Sequence, residues 1–143
     1  MLRGLNPLLS PDLLHTLAAM GHGDEIVIAD ANFPGTSNAK RLIRLDGISA
    51  TDTLEAVLQV MPLDTFVADP ALTMQVVGNP DEVPPVVDKF QWLIETTADT
   101  PSPIQTLERH AFYERARDAF AIVQTGETRL YGNIILKKGV IAP

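Results

Sequence analysis

The sequence predicts an α/β fold, in which the strands of a mixed β-sheet alternate with helices. Short apolar runs rich in β-branched residues, of which Ile26 to Ala29 is the plainest, are typical of buried strands. Segments with the apolar spacing and the capping residues of helices lie between these runs. The 143 residues contain no repeat or low-complexity tract, so we expect one domain over 1–143 with helices flanking the sheet.

The first helix is expected to begin at Ser10-Pro11-Asp12. Ser10 can cap the helix N-terminus, and Pro11 fits the first helical position because it lacks a backbone N–H. The helix should run to about Met20. Gly21 then follows in a suitable place to end it in a left-handed cap.

His22 and Asp30 flank the strand Ile26 to Ala29, and we expect both ends of this strand to contribute residues to one functional site. Open α/β sheets usually bind ligands at the carboxyl ends of their strands, where Asp30 stands. A Gly-His-Gly turn is also an ordinary helix exit, and an Asp after a strand is often only a cap. The loop 33–38 offers Ser, Thr and Asn side chains either to a ligand or to solvent.

The remaining elements continue the alternation of strands and helices. Further strands are expected at 41–45, 66–67, 74–77, 104–107, 120–124 and 131–136. A helix at about 52–61, capped by Thr51 or Thr53 and stopped by Pro62, should turn its apolar face inward. Another helix should follow Val83-Pro84-Pro85, and a short one should cover 111–119. Trp92 lies off the apolar stripe of its helix, where it would contact either another subunit or a neighbouring loop.

Composition excludes several classes of function. The chain has no Cys, which excludes disulfides, a thiolate nucleophile and any Cys-ligated metal site, and which fits the cytoplasm. A net charge of −7 without a basic cluster argues against nucleic acid and against an anionic membrane surface. No apolar run approaches the roughly 18 residues of a membrane span, and no export signal is expected. The partner should be small or neutral.

Motifs for other chemistries are missing. No Ser lies in a Gly-x-Ser-x-Gly elbow, and neither a phosphate-binding Walker loop nor a Gly-x-Gly-x-x-Gly turn occurs. His22, Asp24 and Asp30 could in principle hold a metal, but the histidines lack the spacing of metal ligands, and we expect no metal. Acid–base chemistry by His, Asp, Arg and Tyr remains. Tyr131-Gly132-Asn133 would present a phenol and a carboxamide around a backbone that a ligand can approach closely.

A series of motifs, in matching order from about Leu5 to Val140, resembles the fucose mutarotase and ribose pyranase family. The motifs are Gly-His-Gly-Asp-Glu (21–25), Asp-Ala-Asn-Phe-Pro (30–34), Arg-His-Ala-Phe-Tyr-Glu-Arg-Ala (109–116), Thr-Gly-Glu (125–127) and Tyr-Gly-Asn-Ile (131–134). The resemblance implies a ribose pyranase-like α/β fold and a cofactor-independent isomerase, which interconverts the anomers of L-fucose or a similar monosaccharide. It further implies a homodecameric ring with sites where subunits meet.

The same resemblance assigns roles to residues. His22 would be the proton donor, while Asp30, Arg109 and the segment Tyr131-Gly132-Asn133 would bind the sugar. Arg109 favours L-fucose, because ribose pyranases carry His at the matching place. An imidazole can donate or accept a proton near neutral pH, and either Tyr131 or a water would carry the second proton. Two alternatives stay open: a non-catalytic monosaccharide-binding or transport-accessory protein, and a purely structural ring.

Overall fold

The computed structural model describes residues Met1–Pro143, with six strands and five helices. The strands are β1 (Glu25–Ala29), β2 (Leu42–Leu45), β3 (Ala71–Met74), β4 (Gln105–Leu107), β5 (Ala121–Thr125) and β6 (Ile134–Lys137). The helices are α1 (Pro11–Ala19), α2 (Gly35–Asn38), α3 (Ala50–Leu58), α4 (Pro85–Thr97) and α5 (Arg109–Asp118). None of the helices combines the length and the apolar character that a bilayer crossing requires.

The strands form one mixed sheet in the order β2-β5-β1-β6-β3-β4. β1 and β2 run parallel to β5, and β3 runs parallel to β4, whereas β6 lies antiparallel between β1 and β3. All strands except β6 therefore point the same way. Their carboxyl ends meet the amino end of β6 on one side of the molecule, which we call the carboxyl end of the sheet; the opposite side is the amino end.

Both faces of the sheet are covered. Ile26 and Ile28 of β1 pack into a core cluster that includes buried residues of α1, α3 and α4. Val27 and Ala29 point to the other face, into a second cluster that contains Phe112 of α5. Successive side chains of a strand point to opposite faces, so β1 is apolar throughout. This arrangement confirms the predicted α/β class.

The end of α1 differs from the prediction. Met20 leaves the helix in an extended conformation, with φ −63° and ψ 139°, and the left-handed glycine is Gly23 (φ 86°) rather than Gly21. The ammonium of Lys138 donates hydrogen bonds to the carbonyls of Leu17 and Met20, at 2.8 and 2.6 Å. A distant lysine thus satisfies carbonyls that a left-handed glycine would otherwise cap.

Two other local predictions were wrong. α3 is capped by Ser49, whose hydroxyl accepts the Asp52 N–H at 3.1 Å, and not by Thr51 or Thr53. The loop 33–38 contains the single turn α2, because the Ser37 and Asn38 side chains donate back to the Pro34 carbonyl. Polar residues of a short turn often bond to their own backbone in this way.

Two strands are shifted along the chain and one is missing. β3 begins at Ala71, because its antiparallel register with β6 covers Ala71 to Thr73. β6 begins only at Ile134, since Tyr131 has a φ of 62° that no strand residue adopts. No strand forms at 66–67, where Phe66 instead lies exposed in a turn.

Candidate active site

Asp30 and Asn133 form a reciprocal pair at the carboxyl end of the sheet. The Asp30 backbone N–H donates to Asn133 Oδ1 at 2.7 Å, and Asn133 Nδ2 donates to Asp30 Oδ2 at 2.9 Å. These two bonds fix the orientation of the Asn133 amide, because a backbone N–H needs an acceptor and a carboxylate needs a donor. Two residues 103 positions apart are thereby joined into one unit.

The Asp30 carboxylate is buried but can still accept hydrogen bonds from a ligand. Burial raises its pKa above the ordinary value, against the hydrogen bonds from Asn133 and from the backbone of Asn32 and Phe33, which lower it. Its second oxygen accepts the Asn32 N–H at 3.0 Å. A carboxylate can accept about four hydrogen bonds, so lone pairs remain for hydroxyl groups of a ligand.

Tyr131 and Gly132 connect this pair to the rest of the carboxyl end. Tyr131 adopts a left-handed conformation with φ 62°, and its hydroxyl accepts the Val77 N–H at 3.1 Å. A Cβ on Gly132 would lie 2.7 Å from Glu127 Cγ and 3.1 Å from the Arg129 carbonyl. Gly132 is therefore required by packing inside the chain, and this requirement is a different one from the ligand approach that the sequence suggested.

An ion pair between half-exposed Arg129 and buried Glu127 lies next to the Tyr131 segment. The side chain of Glu127 is 3% exposed and accepts hydrogen bonds from Arg129 Nε and Nη2 at 2.9 and 2.8 Å. It also accepts the backbone N–H groups of Ala50 and Arg129. The hydrogen bonds from Arg129 outweigh burial and lower the pKa of Glu127 to about 2. Sequence analysis named Glu127 only as the last residue of the Thr-Gly-Glu motif and gave it no role, and the Glu-x-Arg spacing was a further local signal.

Replacing Glu127 with Gln should destabilise the protein at neutral pH by about 1–2 kcal/mol, less than for a fully buried pair because Arg129 is 45% exposed. The folded pKa lies below the unfolded value, so the carboxylate stabilises the native state above about pH 4.5 and loses this effect as the pH falls toward 2. The stability gap between parent and variant should therefore close over this pH range.

Denaturant unfolding at fixed protein concentration measures the gap. Asp46→Asn is the matched control, because it removes a carboxylate from the exposed pair with Arg44 and should change stability little. A gap that stays constant between pH 5 and about 2 would contradict a role for the Glu127 charge.

The predicted sugar-binding side chains meet in one pocket of about 250 Å³ at the carboxyl end of the sheet. Asp30, Arg109, Tyr131 and Asn133 line it, and Gly132 stands between the last two in the sequence without lining it itself. The other lining residues are Asn32, Phe33, Met74, Val77, Tyr113 and Leu130. The Arg109 guanidinium lies 5.5 Å from the centre of the Tyr113 ring. Charged hydrogen-bonding groups beside aromatic and aliphatic faces suit a small polar ligand with an apolar side.

This convergence follows from strand direction. Asp30 follows β1, Val77 follows β3, Arg109 follows β4, and Tyr131 and Asn133 precede β6. Because β6 alone runs in the opposite direction, its amino end lies beside the carboxyl ends of its neighbours. One reversed strand therefore brings the Tyr-Gly-Asn segment to Asp30.

His22 lies at the other end of the sheet. It precedes β1, and its neighbour Gly23 donates a backbone hydrogen bond to the carbonyl of Lys138, which follows β6. The five residues of β1 alone span roughly 16 Å at about 3.3 Å per residue, so His22 and Asp30 of one chain cannot touch the same small ligand. The expectation that one strand delivers both of its ends to a single site is wrong within one chain.

His22 has partners that sequence analysis missed. Its Nε2 lies 3.0 Å from Asp64 Oδ1, and its ring lies 5.1 Å from that of Phe66, at 55°. The His22 side chain is 44% exposed, whereas that of Asp64 is 3% exposed. The same Asp64 oxygen accepts the Phe66 N–H at 3.1 Å, which forms the turn where a strand was predicted. Nothing in the local sequence pairs residues 42 positions apart.

The other polar clusters and cavities are weaker candidates for a functional site. No three His, Asp or Glu side chains of the chain converge as metal ligands would. A groove of about 360 Å³ between α1 and the C-terminal segment is lined mainly by apolar residues. The ionisable group on its wall is Lys138, whose ammonium is held by helix carbonyls.

Comparison with known proteins identifies close relatives. A model of the RbsD / FucU transport protein family matches residues 3–141. The fucose mutarotase of Bos taurus is 50% identical, over 100% of this chain and 96% of that protein. The L-fucose mutarotase of Haemophilus influenzae strain 86-028NP is 48% identical, over 98% of this chain and 97% of its own length.

Solved structures agree with these sequence relatives. The crystal structure of the fucose mutarotase from Streptococcus pneumoniae in complex with L-fucose superposes with a TM-score of 0.92 at 48% identity, over 99% of this chain and 100% of that one. Bacillus subtilis RbsD complexed with D-ribose superposes with a TM-score of 0.76 at 25% identity, over 99% of this chain and 100% of that one.

Proposed function

The chain belongs to the RbsD / FucU transport protein family, and on that premise we propose that it is an isomerase that interconverts the α and β anomers of L-fucose. The observation that carries this proposal is 48–50% identity over nearly the whole chain to proteins named fucose mutarotase. Those names favour catalysis over the alternative of a protein that only binds or helps to transport a monosaccharide. We propose that residues 1–143 act as one domain.

Anomer interconversion needs two proton transfers and no change in oxidation state. The ring oxygen gains a proton as its bond to the anomeric carbon breaks, and the anomeric hydroxyl loses a proton to give the open aldehyde. The aldehyde then closes on its other face, which reverses both transfers. Acid and base side chains supply this chemistry, so the proposal includes no cofactor.

The pocket supports the proposed sugar-binding roles of Asp30, Arg109 and Tyr131-Gly132-Asn133. A carboxylate, a guanidinium and a carboxamide together offer both acceptors and donors to sugar hydroxyls, and charged groups make the stronger hydrogen bonds. The Tyr131 hydroxyl accepts the Val77 N–H, so its own proton is available to a ligand. Tyr131 is our candidate for the second proton carrier: its oxygen takes up the proton of the anomeric hydroxyl as its own proton passes to a water, and a water acting alone is the rival.

The proposed proton donor His22 must come from another copy of the chain, because it lies at the opposite end of the sheet from the pocket. Exposed apolar side chains stand at both places: Phe66, 73% exposed, beside His22, and Val77 and Leu130 at the rim of the pocket. Such residues are suited to the core of a subunit interface. We therefore propose a homo-oligomer whose sites combine the His22 corner of one subunit with the pocket of the next. The resemblance to the family is what supports a decameric ring as its form.

Other expectations of the sequence stay predictions. Trp92 is exposed, and the Lys89 ammonium lies 3.8 Å from the centre of its ring, so one face of the indole already has a contact within the chain. The cytoplasmic location expected from the composition remains a prediction as well.

Exchange NMR at anomeric equilibrium tests the proposed function, because it detects interconversion even though the bulk anomer ratio does not change. We expect the protein to accelerate exchange of L-fucose more than that of D-galactose, L-rhamnose or D-ribose, on the strength of Arg109 in the pocket. If the exchange of D-ribose were clearly the fastest, the substrate assignment would be wrong. Binding of fucose without exchange above the buffer rate would favour the non-catalytic alternative.

A further inference from the structure

Asp64 is held rigidly beside His22. Its backbone N–H donates to the Lys137 carbonyl at 3.0 Å, and its Oδ1 accepts the Phe66 N–H at 3.1 Å. The preceding residue, Leu63, is tied in turn to the Asp99 carboxylate at 3.0 Å. The carboxylate that faces the imidazole is thus fixed by the backbone on both sides of it.

The contact between the two side chains selects one form of the imidazole. Burial alone would raise the pKa of Asp64. The hydrogen bonds from Phe66 and His22 together outweigh burial and hold the pKa below its ordinary value. An ionised carboxylate only accepts hydrogen bonds, so the His22 nitrogen 3.0 Å away must carry the proton. That nitrogen is Nε2. Nδ1 then holds the lone pair of the neutral ring, and it makes no hydrogen bond within the chain.

We propose that Asp64 is a positioning residue that holds His22 as the Nε2–H tautomer, so that Nδ1 is the nitrogen that exchanges a proton with the sugar. This inference rests on the proposed mutarotase function, and it adds the identity of the reacting nitrogen and of the group that orients it. A carboxylate that orients a catalytic histidine through its other ring nitrogen is a general arrangement of acid–base sites.

The reaction step is balanced as follows. The imidazolium gives the proton on Nδ1 to the ring oxygen, which takes the electron pair of its breaking bond to the anomeric carbon. The anomeric hydroxyl loses its proton to the second carrier, and the electron pair of its O–H bond forms the aldehyde carbonyl. Reclosure returns both protons. Throughout, Nε2 keeps its proton and its hydrogen bond to Asp64, whose negative charge stabilises the imidazolium.

The other charged groups around His22 are occupied. Asp24 Oδ2 accepts the Gly21 N–H, and the Lys138 ammonium binds carbonyls at the end of α1. Glu25 at the start of β1 pairs with Arg115 of α5. Of the charged side chains on the elements packed here, Asp64 is the one within hydrogen-bond distance of the imidazole.

Asp64→Ala removes the acceptor of the His22 Nε2–H, whereas Asp64→Asn keeps an oxygen that both the Phe66 N–H and the His22 Nε2–H can reach. We expect kcat for fucose exchange to fall roughly tenfold or more in Asp64→Ala, with KM little changed, as part of the about 10² to 10⁴ that a positioned acid–base group contributes. Asp64→Asn should recover most of that loss. In Asp64→Ala the neutral imidazole should become a mixture of both tautomers, because the acceptor that holds the Nε2–H is gone, whereas Asp64→Asn should keep the proton on Nε2. A merely structural defect would lower activity without changing the tautomer.

Asp99→Asn is the matched control, since it removes a carboxylate that anchors the adjacent Leu63 but does not touch His22. It should leave kcat and the tautomer of His22 as they are in the parent. A parental kcat or an unchanged tautomer in Asp64→Ala would overturn the inference.

Nitrogen NMR of the labelled imidazole provides a readout that does not depend on activity. In the neutral imidazole of the parent, the proton of His22 should lie on Nε2, with His22→Gln used to assign the signals. A dominant Nδ1–H form would overturn the inference even if the protein is an active mutarotase. If the parent exchanges no sugar, the proposed function fails, while the tautomer still decides the role of Asp64.

Discussion

Replacing His22 with glutamine should slow fucose anomer exchange by roughly 10² or more while sugar binding largely survives, which is the scale of a lost acid–base group. Glutamine keeps a polar side chain of similar reach but cannot titrate. The pocket residues Asp30 and Asn133 stand at the other end of the sheet, so the substitution should leave their geometry intact.

Exchange NMR gives the rate of the variant, and calorimetric titration with fucose gives its affinity. His15→Gln makes the same substitution at an exposed position of α1 and should behave as the parent. If His22→Gln assembles normally and still exchanges fucose at the parental rate, the assignment of His22 is wrong, and Tyr131 and Asp30 become the next candidates.

Sequence patterns predict the parts of this fold that local chemistry determines. The Ser10 cap of α1, the buried strand from Ile26 to Ala29 and the inward stripe of α4 all depend on neighbours in the sequence, and the structure confirms them. The α4 stripe consists of Val86, Val87, Phe90, Leu93 and Ile94, all buried. Phe66-Val67 also looked like a strand, but a hydrogen bond to Asp64 bends the chain there.

The site was predictable in its members but not in its layout. Motifs pointed to His22, Asp30, Arg109 and Tyr131-Gly132-Asn133, yet which of them meet depends on the direction of β6, and a single strand carries no signal of its direction. Asp64 and Glu127 were missed for a related reason. The partner of Asp64 is 42 residues away, and the Ala50 backbone that Glu127 binds is 77 residues away.

Replacing Asp30 with asparagine should lower kcat/KM for fucose roughly 10- to 100-fold, which corresponds to the loss of a hydrogen bond to a charged group, about 1.5–3 kcal/mol. The carboxamide oxygen can still accept the Asn32 N–H, but the amide nitrogen then faces Asn133 Nδ2, so the bond between the two side chains is lost and the fall in kcat/KM includes that loss. Steady-state exchange rates at several fucose concentrations measure the effect. A kcat/KM equal to that of the parent would remove Asp30 from the proposed site.

Mixing the two variants tests whether the site is shared between subunits. His22→Gln retains an intact pocket, and Asp30→Asn retains an intact His22 corner. In oligomers randomly assembled from equal amounts of the two variants, about one quarter of the sites should combine both intact halves, since each half is intact with a probability of one half. Activity should therefore rise from the low level of either variant to about a quarter of the parental value. Sites formed within one chain would instead give no recovery.

Co-assembly of the parent with the doubly substituted chain provides the matched control, because it contains the same residues in the same total amounts. A shared site again predicts about one quarter of the parental activity, whereas a site within one chain predicts about one half. Light scattering should first show that each mixture forms particles several times the 15.5 kDa chain. A monodisperse monomer that still catalyses exchange would contradict the shared site, because β1 separates His22 from the pocket in every single chain.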